Sequence, residues 1–168
     1  EMRRWLMGQA RILAVVDLPR EAFQPHTGTK TSLVFLQKEP NLSRDYQIFM
    51  AVSDAVGHDR RGLPIYRRDD QGKVELDPSG NPFIYNDLPD ILQQWENFKA
   101  GKSVRSQSPS CFVLSANQIR SDNFLRMDAW YHDPNKNDLV KKLDAAVGDR
   151  IVDIARLSDL ATDIFYPG

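Results

Sequence analysis

The apolar positions of this chain gather into a few dense runs separated by long polar stretches. "ILAVVDLP" (residues 12–19) and "TSLVFLQK" (31–38) are continuous apolar runs of strand length, rich in β-branched residues, and both read as strands covered on two faces. Ahead of them "MRRWLMGQ" (2–9) predicts a short amphipathic helix with Trp5 and Leu6 on one side and Arg3 and Arg4 turned to solvent. Helix, strand, loop and strand in that order predict the edge of an α/β sheet. In "YQIFMAVSDAV", Ile48, Met50 and Val52 alternate while Phe49 and Ala51 fill the other positions, so the period leaves helix and strand open.

Beyond Gly57 the pattern dissolves into repeated Gly, Pro, Asn and Asp, which predicts turns and short hairpins. No internal repeat or low-complexity tract is visible. "NDLPDILQQWENFKAG" restores order. It predicts a helix with Asn86 or Asp87 as N-cap, Pro89 in the first turn, Ile91, Leu92, Trp95 and Phe98 on one stripe, and Gly101 as its stop. The Ser-rich "GKSVRSQSPS" then reads as a linker. "CFVLSANQI" is a short strand, Asp133 or Asn135 can cap a helix bearing Leu139, Val140, Leu143 and Val147 that ends at Gly148, and "RIVDIARLSDLATDIFYPG" closes the chain as a strand or short helix. The expected organisation is residues 1–57 as one α/β piece, 58–101 as a turn-rich extension with one helix, 102–110 as linker, and 111–168 as a mainly helical second part.

Composition narrows the chemistry. At 168 residues, 41% hydrophobic and 27% charged, the chain sits near globular averages, and no apolar run approaches the length of a membrane span. No secretory signal is visible, so a cytoplasmic location is expected. A net charge of −1 argues against binding polyanions by bulk charge, so any nucleic-acid contact has to be local. The single cysteine, Cys111, rules out an intrachain disulfide and a cysteine-based zinc cage. The three histidines, His26, His58 and His132, lack ligand spacing, which argues against a metal hydrolase. A first residue other than Met, feeding straight into helix-like sequence, reads as a piece of a longer chain.

The run "ARILAVVDLPREAFQPHTGTKTSLVFLQK", continuing into "IFMAVSDAVGHDRRGLPIY", resembles the C-terminal part of the catalytic domain of adenine-N6 DNA methyltransferases of the type I restriction-modification family. The likeness covers residues 1–66 and rests on "DLP" followed by F-x-P-x-T-G-T-K-T-S. It implies that the two strands are the last pair of a Rossmann-like methyltransferase sheet and that the loop between them reaches the active-site cleft. By motif, Phe23 takes the position of the aromatic that stacks on the flipped-out adenine. An enzyme that modifies an exocyclic amine must extrude the base, and a flat ring recovers part of the lost stacking. Read without the resemblance, Phe23 is more often a core anchor that pins its loop.

Lys30, Thr27, Thr29 and His26 offer charge and hydroxyls suited to phosphate and sugar contacts, although hydroxyls that cap turn amides would leave the same letters. Arg60 and Arg61 add two cations that could track a DNA backbone or simply be solvated surface. The family's Gly-rich loop for S-adenosylmethionine and its Asn-Pro-Pro-Tyr motif do not occur in these residues, and "GNPF" (80–83) reads as a turn. The resemblance therefore implies that the cofactor and the catalytic residues belong to a preceding segment and that this piece alone is inactive. "FLRMDAWYHDPN" and "LSDLATDIFYPG" are similar to the opening of a target-recognition domain in specificity subunits of the same systems. The expected partners are then DNA, a specificity subunit or fused recognition domain, and a restriction subunit, with no membrane. The alternative is a non-catalytic module that docks on DNA or on a subunit, in which Trp130 and Tyr131 are packing residues of a connector.

Overall fold

The computed structural model describes residues 2–39, 43, 45–104 and 106–135. The chain divides into a unit Glu1–Asp133 and a unit Pro134–Gly168. The helix expected after Asp133 and the closing "RIVDIARLSDLATDIFYPG" lie outside the described residues. The sheet and the helices packed on it belong to the first unit.

The apolar runs become a five-stranded mixed sheet. Helix α1 (Met2–Gln9) feeds β1 (Ala10–Asp17), which pairs antiparallel with β2 (Ser32–Lys38) on one side and parallel with β3 (Gln47–Val52) on the other. After helix α2 (Leu88–Lys99), the short strand β4 (Ser106–Gln107) forms a hairpin with β5 (Ser110–Ser115), and β5 pairs antiparallel with β3. The order across the sheet is β2-β1-β3-β5-β4. Helices α3 (Ala116–Ser121) and α4 (Ala129–His132) follow. The mixed α/β class expected from the sequence is the class observed.

Both faces of β3 are covered, and that explains why its apolar positions show no single period. Ile48, Met50 and Val52 point into one core with Ile12, Val15, Met7, Ile119 and Met127, while Phe49 and Ala51 point into the other with Val16, Ile91 and Cys111. A central strand with two buried faces shows no apolar–polar alternation. On the α1 side, Met7 is the buried anchor, Leu6 packs partly against it, and Trp5 is 65% exposed. On the α2 side, Ile91, Trp95 and Phe98 form the stripe expected of them, whereas Leu92 stays outside it. Cys111 is 1% exposed, and burial, reinforced by the carboxylates of Asp87 and Asp90, pushes its thiol up to about 12, so it is inert as a nucleophile at neutral pH.

Three expectations need correcting. First, β2 is not covered on two faces: every one of its residues is exposed, because no described helix packs closely over it. Second, residues 102–110 do not separate two cores. "CFVLS" is apolar on both sides of its pleat, and the sheet takes it up beside β3, with Ser110 Oγ donating to Asp133 at 3.0 Å. The six residues after it form α3, which sequence reading did not identify although its capping box is legible: Ser115 caps, and the Gln118 side chain accepts from the Ser115 amide at 2.9 Å.

Third, the turn-rich extension does repeat. Asp59, Asp69 and Asp77 each open an Asp-x-x-Gly turn in which one carboxylate oxygen accepts from the amides two and four residues on. Those amides, Leu63 first for Asp59 and Asn81 first for Asp77, hold the carboxyls of Asp59 and Asp77 below the usual range. The arms of the turns meet in a closed ring of backbone bonds: Arg67 to Phe83 (2.8 Å), Phe83 to Glu75 (3.0 Å) and Glu75 to Arg67 (3.0 Å). The spacing of the three aspartates is unequal, which hid the repeat. The ring joins the sheet at Gly57, where φ is +89° and an added Cβ would lie 2.7 Å from Ile84 Cγ2. Gly57→Ala should lose about 1–3 kcal/mol of stability, read as a lower urea midpoint, from left-handed strain plus overpacking. A midpoint equal to wild type would contradict that contact.

Candidate functional site

In open α/β sheets, ligands gather at the carboxyl ends of the parallel strands. Here those ends are Asp17 of β1 and Val52 of β3, ladder partners whose following loops leave the sheet at the same edge. Ser53 N donates to Asp17 O at 2.9 Å and fastens the two ends together. The Asp87 carboxylate, expected to cap α2, instead accepts from Ser53 Oγ (2.6 Å), Asp54 N (2.7 Å) and Ala55 N (3.1 Å) and so fixes the loop after β3. The cap is left to Asn86, whose Oδ1 accepts from Leu88 N.

Loop 17–32 is held rather than loose. Its two ends are ladder partners, Leu18 N donates to Thr31 O at 2.9 Å, and the Ser32 hydroxyl donates to Asp17 Oδ1 at 2.5 Å. Between them a single 3-10 turn (Arg20–Phe23) packs Ala22 against the α2-side core, and His26 N and Thr27 N both donate to Phe23 O at 3.0 Å. The backbone of Phe23 is thus bonded in place while its ring is 44% exposed. Beneath the loop a small cavity of about 80 Å³ is lined by Pro19, Glu21, Asp54, His58, Ile65 and Tyr85.

The other anticipated residues divide into those that face outward and those already engaged. Thr27 and Thr29 hydroxyls bond each other at 3.0 Å, and Thr27 Oγ1 also accepts from Thr29 N, which is the turn-capping arrangement. Lys30 Nζ lies 4.9 Å from the centroid of the Trp130 ring. His26 is exposed on the loop surface. Arg60 and Arg61 occupy the tip of the first Asp-x-x-Gly turn. That tip stands beside the loop, since a Cβ on Gly62 would lie 3.8 Å from Pro25 Cδ.

Sequence reading missed Asp17, the group that organises this end of the sheet. It is 1% exposed, and its second oxygen accepts from Trp130 N at 2.8 Å, tying the loop to α4. The signal was there: a carboxylate at the end of an otherwise apolar run, "AVVDLP", has to be buried with its strand. Around α4, Arg126 grips Asp128 through two bonds, Nε at 3.1 Å and Nη2 at 2.7 Å, and lies 4.2 Å from the Tyr131 ring centroid. The residues of the R-x-D-A-x-Y stretch therefore bond one another and the sheet. Among the described residues no His, Cys, Asp and Glu cluster suits a metal, and no helix is long and apolar enough to cross a membrane.

No family model matches the chain, and no curated protein does. Among solved structures it is similar to a chain described under "complex assembly and conformational transition of the type I R-M system", with 15% identity and a TM-score of 0.42. The match covers 89% of this chain and 30% of that one, so the present chain spans less than a third of the length of its structural neighbour. A likeness of that size leaves the reading of the site to its own residues.

Proposed function

We propose that this chain is part of a site-specific DNA methyltransferase of a restriction-modification system, which transfers a methyl group from S-adenosylmethionine to adenine N6, with Phe23 stacking on the extruded base. One observation carries the reading: a half-exposed aromatic ring on a loop bonded at both ends, at the carboxyl edge of the parallel pair β1 and β3. Such a ring is positioned before the base arrives, so little ordering cost falls on the stacking step. Arg60 and Arg61 beside the loop, and His26 on its surface, are the flanking phosphate contacts under this reading.

The described residues do not themselves fit S-adenosylmethionine. The carboxylate at the strand ends, Asp17, is 1% exposed and bonded to Ser32 and Trp130, so it is not open to a ribose. Under this reading the cofactor and the groups that orient the amine come from outside these residues, as do the specificity and restriction subunits, and no chemical step is assigned to this chain. A second reading, a non-catalytic docking module, is favoured by β2, where Leu33, Val34, Phe35 and Leu36 are all exposed.

The test is methyl transfer from labelled cofactor to duplex DNA by the intact enzyme that carries this chain. Stacking worth about 1–3 kcal/mol predicts a loss of roughly 5- to 150-fold for Phe23→Ala, with Phe23→Trp retaining most activity. A 2-aminopurine at the target position should brighten with wild type and less with the alanine variant. Equal rates for alanine and wild type would remove Phe23 from the base, and absence of transfer by the intact wild-type protein would leave the docking reading.

A further inference from the structure

We propose that the seam between α1 and segment 122–130 is a track for the sugar–phosphate backbone of DNA, with Arg3, Arg4 and Lys30 as its phosphate contacts. The inference rests on the reading of DNA as the partner but uses neither Phe23 nor the first Asp-x-x-Gly turn.

The seam is a line of three joined clefts. The first, about 490 Å³, opens beside the loop and is lined by Arg3, Lys30, Ser32, Arg126 and Trp130 among others. Arg3 also lines the second, about 390 Å³, which continues past Arg4 and Phe124. Arg4 also lines the third, about 650 Å³, which ends at Arg120. At about 1.5 Å per residue the eight residues of α1 run for about 12 Å.

Charge decides what fits. The whole chain is at −1, yet each carboxylate along this seam is engaged by hydrogen bonds within the protein. Asp17 is buried with both oxygens bonded, and Asp128 is held in the fork of Arg126. Asp122 accepts from Arg126 N at 2.8 Å and Phe124 N at 3.2 Å, bonds that also hold its carboxyl below the usual range. Asp45, near Arg120, accepts from Ser115 Oγ. Among the described residues, the ion pairs are Arg11–Glu39, Arg67–Glu75, Lys99–Glu96 and Arg126–Asp128, so Arg3, Arg4 and Lys30 carry no carboxylate partner.

Two of the three are also positioned. Arg3 Nη1 donates to Phe124 O at 3.0 Å, and Lys30 is held over the Trp130 ring, whose own backbone is bonded to Asp17. A guanidinium held by a carbonyl and an ammonium held by a ring keep further donors for phosphate oxygens, and Trp130 and Phe124, exposed at 47% and 77%, flank them as apolar surface for sugars.

The experiment is fluorescence anisotropy of the full chain with a labelled duplex of mixed sequence, between about 50 and 200 mM salt, where counterion release makes affinity fall steeply. Replacing Arg3, Arg4 and Lys30 together by Gln should weaken binding at least 10-fold at the lower salt. It should also flatten the slope of log affinity against log salt by about 2 to 3, at roughly 0.9 for each phosphate no longer neutralised. The effect should be the same for unrelated duplex sequences, and the charge-preserving replacement of Arg3 and Arg4 by Lys should restore most of the slope. Circular dichroism checks that the triple variant is folded. A folded triple variant with wild-type affinity and slope overturns the track, as does a wild type whose binding ignores salt. Phe23→Ala should leave the slope unchanged while losing the 2-aminopurine signal, so failure of the base-stacking reading and failure of the track give different results.

Discussion

Asp17→Ala is expected to cost about 2–4 kcal/mol of unfolding free energy, seen as a fall in the urea midpoint with an unchanged slope. The sum follows from what the carboxylate does. It is 1% exposed and accepts from Ser32 Oγ and Trp130 N, so truncation leaves a hydroxyl and an amide facing a small void. Each buried, unpaired donor costs about 1–3 kcal/mol, partly relieved where the hydroxyl can turn away. Asp17→Asn keeps the shape but can accept at one oxygen, so it should fall between alanine and wild type; Ser32→Ala, which removes one donor from an acceptor that keeps another, should lose about 1 kcal/mol. The alanine change should also make loop 17–32 easier for protease to cut, because its closing side-chain bond and its tie to α4 go together. A midpoint within about 0.5 kcal/mol of wild type would mean that the carboxylate organises nothing.

What was legible in the sequence was periodicity and local grammar. The runs at residues 12–19 and 31–38 gave two strands, and Pro89, the Ile91–Trp95–Phe98 stripe and Gly101, with φ at +68°, gave α2 almost to the residue. Burial was not legible at β2, because an apolar run states what a strand could bury and not whether anything lies beside it. The role of Asp87 was hidden for a related reason: a carboxylate at a helix start suits the helix amides, and only the fold brings the amides of Asp54 and Ala55 within reach of it. The 102–110 linker was misread because Ser and Pro mark a tight β4–β5 hairpin as well as they mark a flexible tether. At the site, Phe23 was singled out by the loop's resemblance to a known family and not by the pattern of its own residues. Asp17 and Trp130, 113 positions apart, meet only because α4 returns to the end of β1.

Phe49→Ala is expected to be the most damaging single truncation, with a loss of about 3–5 kcal/mol. The ring is 1% exposed at the centre of the middle strand, 5.6 Å from Trp95 and 5.9 Å from Phe98, and those two rings stack on each other at 5.6 Å. Removing it takes away transfer free energy and aromatic contact, and it leaves a cavity that the sheet cannot close, because Ala51, Cys111 and Ile91 are fixed by strands and helix around it. Trp95→Ala removes a larger side chain but from a half-buried position, so solvent fills the space and the loss should be smaller. Denaturant unfolding of both variants checks that order; a Trp95 variant less stable than the Phe49 variant would place the weight of the core in the helix rather than the strand. The order matters for the site, because β3 leads directly into Ser53, which binds both Asp17 and Asp87. If Phe49 holds β3 against α2, its loss should loosen loop 17–32 in proportion to the fall in stability, whereas a surface change such as Leu92→Ala, at a position 58% exposed, should leave the loop as it is.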